Sequence, residues 1–168
     1  PSEIAVLADD SANPAYVAAD LLSQAEHGTG KEKALLVATS RAIAEAVSLE
    51  LERQASELPR EEAVRRVMKG GMLVVVAPDL EVGMELCNQL AAEHFELLVR
   101  EPKRWLKRVR CAGAVFVGPW TPESAGDFVA GPSHVLPTGG AAAMFAGLTV
   151  DDFLRRTSFM AFTKQDLS

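Results

Sequence analysis

The sequence predicts an α/β fold: a parallel sheet of about five strands with helices on both faces, an incomplete Rossmann-like core, followed by a Gly/Pro-rich loop region. Three observations carry that expectation. Short apolar runs of strand length recur along the first two thirds of the chain. A helix-length stretch with a one-sided apolar stripe follows most of them, and the connections between are short. The chain divides on this reading into an alternating core over 1–118, an active-site loop region over 119–148 and a short helix and strand over 149–168.

The elements follow in order. Ile4 to Ala8 is an apolar run closed by Asp9, Asp10 and Ser11, a buried strand. Asn13-Pro14 offers an N-cap with proline at the first helical position. The helix should run to about His27, with Val17, Leu21 and Ala25 on one stripe and Gly28 as its stop. Leu35 to Thr39 is the second strand, and Ser40 caps a long helix through about Ser56. Pro59 breaks that helix, and a shorter one over Glu61–Lys69 ends at Gly70-Gly71. Met72 to Ala77 is the most strand-like run in the chain. Pro78-Asp79 turns it into a helix over Leu80–Ala91. Then come a strand over Phe95–Val99, a helix over Pro102–Arg110 and a strand over Ala114–Val117. Glycines 126, 131, 139 and 140 with prolines 132 and 137 leave no room for helix or central strand in the segment that holds Asp127 and His134. Thr149 caps a short helix, and Thr157–Thr163 is a last strand.

Composition bounds the function. With 48% apolar and 24% charged residues the chain is globular, and its net charge of -6 argues against a nucleic-acid surface. Lys103, Arg104, Lys107, Arg108 and Arg110 read as the solvated face of a helix. Cys87 and Cys111 are too few for a disulfide framework and read as small buried hydrophobes in a reducing cytoplasm. Trp105, Trp120, Met144 and Met160 read as packing residues. No apolar run reaches the ~20 residues of a membrane span.

The polar residues fall in a pattern. Ser2 precedes the first strand, Gln24 and His27 end the helix before the second, and Glu93-His94 stand just before the fourth. In a parallel sheet all five lie on the edge where strands begin, opposite the edge at which open α/β sheets ordinarily bind ligands. Such an enzyme completes its site with another domain or subunit. Gln24 and His27, three apart on a helix, share a face and can reach one ion, although a polar pair at a helix end is also simply solvated. Asp127 and His134 in a turn-rich loop can serve as capping carboxylate and surface histidine, or point at a ligand. Glu93 and His94 admit two readings as well, a solvent-facing acid beside a capping histidine, or an acid/base pair.

These segments together resemble the histidinol dehydrogenase family. The resemblance rests on Pro1-Ser2-Glu3, on Ala18 to His27 (AADLLSQAEH), on Glu93-His94 with Phe95-Glu96-Leu97, on Gly126-Asp127 with Gly131 to Thr138 (GPSHVLPT), and on Leu148–Ser158. It departs from the family at Ala91-Ala92, where a proline is usual. The resemblance implies an NAD- and zinc-dependent oxidation of L-histidinol through the aldehyde to L-histidine. It implies zinc on Gln24, His27 and Asp127, His94 as the base that removes the hydroxyl proton, and Glu93 as the activator of water for the second oxidation. Ser2, Gln24, His27, His94, Asp127 and His134 would contact the substrate. Imidazole suits zinc, and a general base of this type titrates near working pH.

Family members are longer at both ends, so the resemblance implies a piece of a cytoplasmic homodimeric enzyme, inactive alone. Its NAD site would lie upstream, since neither Gly70-Gly71 nor Gly139-Gly140 belongs to a dinucleotide fingerprint. Its last zinc ligand would come from the partner subunit, since no histidine follows His134. Two alternatives stand beside it: a paralogue acting on another small alcohol such as a sulfonated propanediol, and a non-catalytic metal- or partner-binding module.

Overall fold

The computed structural model describes residues 2–168; Pro1, part of the first matching segment, lies outside them. Strands β1 (Glu3–Ala8), β2 (Lys33–Ala38), β3 (Met72–Val76), β4 (His94–Leu98) and β5 (Ala114–Val117) form one sheet in the order β3-β2-β1-β4-β5. Every pairing is parallel, with Ile4 opposite Ala34 on one side and opposite His94 on the other. Helices α1 (Pro14–Ala25), α2 (Arg41–Ala55) and α3 (Glu61–Gly70) cover one face. The other face is covered by α4 (Leu80–Leu90) and the α5 (Pro102–Trp105) region, where Met84, Cys87 and Trp105 pack with Leu7, Val37 and Phe95. A parallel sheet covered on both sides needs continuous apolar central strands, and β1 and β4 are buried along their whole length.

The helix starts are made by the side chains the sequence offers. Asn13 accepts from the Ala15 amide at 2.9 Å, Ser40 from Ile43 at 3.3 Å and Asp79 from Val82 at 2.8 Å. The far end of α1 is capped by Arg60, whose guanidinium donates to the Glu26 carbonyl at 2.8 Å. At Gly83 a Cβ would lie 2.6 Å from Leu7, so the bare glycine lets α4 sit close to the sheet.

The structure corrects several expectations. The segment with Asp127 is not wholly irregular: α6 (Ser124–Phe128) is a single helical turn that includes Gly126. One turn survives its glycine because a Cβ there would lie 2.8 Å from the Phe116 ring, so only glycine seats this helix. No strand forms over Thr157–Thr163, since the run finds no neighbouring strand to pair with, and Phe159 is 93% exposed. The helix over Pro102–Arg110 stops at Trp105 and continues as a 3-10 turn through Arg108. Its basic residues are solvated and paired with acids, Arg108 with Glu81 at 3.0 Å and Arg110 with Glu85 at 2.7 Å.

Trp120, Met144 and Met160 are exposed rather than core. All three lie beyond the last strand, where no sheet face remains to receive them. Cys111 is half-buried, while burial pushes the Cys87 thiol up to about 12 and keeps it inert. The strand-like Met72 to Val76 run is an edge strand with Leu73, Val74 and Val76 exposed.

Candidate functional site

Because α1 runs back against the strands, its last turn returns to the edge where β1, β2 and β4 begin. There the predicted residues meet in pairs. Ser2 Oγ donates to Glu93 Oε2, and the Glu3 amide donates to the same oxygen at 3.4 Å, so Glu93 is held over the start of β1. Gln24, 0% exposed, places Oε1 3.2 Å from His94 Nδ1. The opposite ring nitrogen, Nε2, stands 3.6 Å from Glu123 Oε1. Gln24 Oε1 is an acceptor, so Nδ1 donates to it and Nε2 is the nitrogen that faces the Glu123 carboxylate.

Around His94 opens a cavity of about 400 Å³, lined also by Asp127, His134, Phe116 and Thr149. Phe116 packs its ring 5.9 Å from the His94 ring. Asp127 and His134 are exposed on this cavity, one on α6 and one in the turn-rich segment. Gln24 and His27 are not among its lining residues. His27 lies two residues past the end of α1, which stops at Ala25 rather than running to His27, with Nδ1 3.2 Å from the carbonyls of both Ser23 and Gln24. A carbonyl only accepts, so Nδ1 is the donor, which leaves Nε2 as the ring nitrogen available to a metal.

Among the described residues no group of three His, Cys, Asp or Glu side chains converges as a metal site. The set read from the sequence has only two members of those types, His27 and Asp127, with the Gln24 amide as the third. The donors nevertheless fit a cation in chemistry. Gln24 Nε2 is buried and has no partner. A half-turn of the amide would let Nε2 donate to His94 and present Oε1 in that unpartnered direction. Imidazole, carboxylate and amide oxygen are each donors that zinc accepts, although Gln24 and His27 lie outside the cavity that Asp127 lines.

Three residues at the site were not singled out from the sequence. Glu123, 3% exposed, accepts from Ser23 Oγ at 2.9 Å and faces His94. Glu96 is 0% exposed in the middle of β4. Asp20, half-buried on α1, also lines a second cavity of about 320 Å³ with Tyr16 and Trp120. One signal was legible: a glutamate between Phe95 and Leu97 in a buried strand is anomalous unless it is partnered.

The histidinol dehydrogenase family model matches residues 1–168, the whole chain. The chain belongs to the histidinol dehydrogenase family. It is 45% identical over 167 residues to the histidinol dehydrogenase of Bacillus cereus, covering 99% of this chain and 39% of that protein. It is 48% identical over 164 residues to the one from Heliobacterium mobile, covering 98% and 38%. The crystal structure of histidinol dehydrogenase from Elizabethkingia anophelis superimposes with a TM-score of 0.93 at 35% identity, over 99% of this chain and 38% of that one. The chain therefore spans less than half the length of the histidinol dehydrogenases it matches.

Proposed function

We propose that this chain is the zinc- and substrate-bearing part of a longer histidinol dehydrogenase, which oxidises L-histidinol to L-histidine in histidine biosynthesis. The observation that carries the reading is His94: buried, held at Nδ1 by Gln24, faced at Nε2 by Glu123, and opening onto a cavity that Asp127 and His134 share. His94 takes the substrate's hydroxyl proton in the first oxidation, with the Glu123 carboxylate facing its Nε2. Glu93, fixed by Ser2, accepts a proton from the water that adds to the aldehyde before the second oxidation. Asp127, Gln24 and His27 would hold the metal. Zinc, when bound, would supply a Lewis acid that orients the substrate, and NAD would supply the acceptor for hydride in each oxidation. His134, which lines the same cavity as His94, contacts the substrate and favours histidinol over a sulfonated alcohol.

The last zinc ligand belongs to the partner in a cytoplasmic homodimer, and the NAD site to the part of the enzyme preceding this chain. Exposed Met144, Phe145, Phe153, Phe159, Met160 and Phe162 support a surface that other parts of such an enzyme cover. Among the described residues no helix is long and apolar enough to cross a membrane.

The test measures zinc content and NADH production from histidinol, for this chain and for the protein extended at both ends. Zinc and turnover in the extended protein alone are expected. An extended protein that holds zinc and ignores histidinol would favour the paralogue, and one that holds no zinc would favour a binding module.

A further inference from the structure

Helix α1 and strand β4 meet as two rungs. Residues four apart on a helix are separated by ~6 Å along its axis and residues two apart on a strand by ~6.6 Å. An antiparallel helix over a strand therefore sets such pairs side by side. Gln24 over His94 is the first rung. Asp20, four residues earlier on α1, and Glu96, two residues later on β4, make the second, carboxyl against carboxyl.

As two carboxylates they would offer each other only lone pairs. Neither Glu96 oxygen has a hydrogen-bond donor, and the residue is 0% exposed. Its in-register neighbours, Val6 on β1 and Phe116 on β5, are apolar. The titratable groups around it are Asp20 from α1, Glu123 from the segment before α6, and His94 on β4 itself. The Glu123 backbone amide lies near both carboxyls without a hydrogen bond to Glu96. The Glu123 side chain continues to Ser23 and His94.

We propose that Glu96 is held as the neutral acid, donates its proton to Asp20, and that this acid pair is a positioning device, fixing the Glu123 backbone so that its carboxylate stands against His94. Burial above all, then the charges of Asp20 and Glu123, pushes Glu96 up to about 9. Burial likewise raises Asp20, to about 6, so one proton stays in the pair at neutral pH. The proton is shared between oxygens of the pair and takes no part in the bond changes at the substrate. The kinetic half of the proposal rests on the reading of His94 as the base; the protonation half does not.

The test compares Glu96→Gln and Glu96→Leu with wild type in the intact enzyme. The Gln amide can donate to Asp20 as the neutral acid does, so kcat should stay within about threefold of wild type. The Leu variant should lose roughly 10- to 100-fold in kcat with a smaller change in KM, because His94 loses its fixed neighbour. Infrared spectra at neutral pH should show the carbonyl band of a protonated carboxyl in wild type and lose it in Glu96→Gln.

Thermal unfolding adds a linked readout. Glu96 keeps its proton in the fold and loses it in the unfolded chain, so wild-type stability falls between about pH 5 and about pH 9. Glu96→Gln should remove that slope and gain on wild type across the same range. Equal damage in both variants, an unchanged kcat in Glu96→Leu, a missing infrared band or a parallel pH slope would each overturn the proposal. Should Glu96→Leu fail to fold, the Gln variant still decides it by kcat, spectrum and slope. A wild type that ignores histidinol would defeat the proposed function, while spectrum and slope would still decide the protonation.

Discussion

Gln24 Oε1 lies 3.2 Å from His94 Nδ1, joining the last turn of α1 to the first residue of β4 across a sequence separation of 70. The contact exists because α1 returns antiparallel to the strands and brings its tail to the edge where they begin. It leaves the other end of the amide, Gln24 Nε2, buried without a partner. An unpaired buried amide costs ~1–3 kcal/mol. A site that keeps such a group in a fully buried position holds it for something other than stability.

Replacing Gln24 by leucine should therefore separate stability from function. Gln24→Leu removes the orphan Nε2 but leaves the buried His94 Nδ1 without its partner, so the two effects offset and unfolding free energy should stay within ~1 kcal/mol of wild type. Zinc content of the intact enzyme should fall, and kcat with histidinol should drop by ~100-fold or more as His94 loses its partner. Urea unfolding, metal analysis and steady-state kinetics on one preparation check the three parts. Marked destabilisation with zinc retained would mean that the residue is merely structural.

Gly126 should be as sensitive as a residue that touches substrate. A Cβ at this position would meet the Phe116 ring at 2.8 Å, and Phe116 packs on His94. Gly126→Ala must push α6 away from the sheet, carrying Asp127 with it. Overpacking of this kind costs ~1–3 kcal/mol. The expected result is a lower melting temperature together with weaker zinc retention; Gly131→Ala, whose Cβ would meet nothing, controls for the loss of a glycine as such, apart from its positive φ of +91°.

Ala91 is the only non-glycine residue with positive φ among those described, at φ 50° and ψ 51°. It ends α4 in the left-handed conformation, which costs an L-residue ~1 kcal/mol that glycine does not incur. Ala91→Gly should raise stability by up to ~1 kcal/mol, less the entropy glycine adds to the unfolded chain. Zinc content and kcat should not change, since Glu93 and His94 are held by Ser2, Gln24 and Glu123. Differential scanning calorimetry measures the first and the histidinol assay the second.

Much of this was legible from the residues. The strand and helix alternation, the Asn13, Ser40 and Asp79 caps, and the common edge for Ser2, Gln24, Glu93 and His94 all follow from local rules plus parallel pairing. Three kinds of information were not. Gly126 reads as a breaker because propensity is local, whereas its helical turn is selected by the Phe116 ring about ten residues earlier in the chain. The burial of Trp120, Met144 and Met160 depends on what lies over them, which hydrophobicity alone does not specify. Glu123 looks like a loop acid between Pro122 and Ser124, and only the packing of that loop against α1 and β4 reveals its place beside His94.

The loop that follows His27 carries its own titratable anchor. Glu32, 1% exposed, accepts from both the Thr29 hydroxyl and the Thr29 amide at 2.7 Å. Burial alone would raise its pKa, but these bonds and further backbone amides outweigh it and hold the carboxyl at about 2. A depressed acid stabilises the fold above its unfolded pKa of about 4.5, and that contribution is lost as pH falls through the folded value of about 2. The full contribution is on the order of 3 kcal/mol at neutral pH. Glu32→Gln should therefore destabilise the protein by ~1–3 kcal/mol at pH 7, and the gap to wild type should close as pH is lowered through the window from about 4.5 to about 2. Urea unfolding of the two proteins at several pH values measures the gap; one that stays constant down to the acid end would assign Glu32 a packing role without a charge.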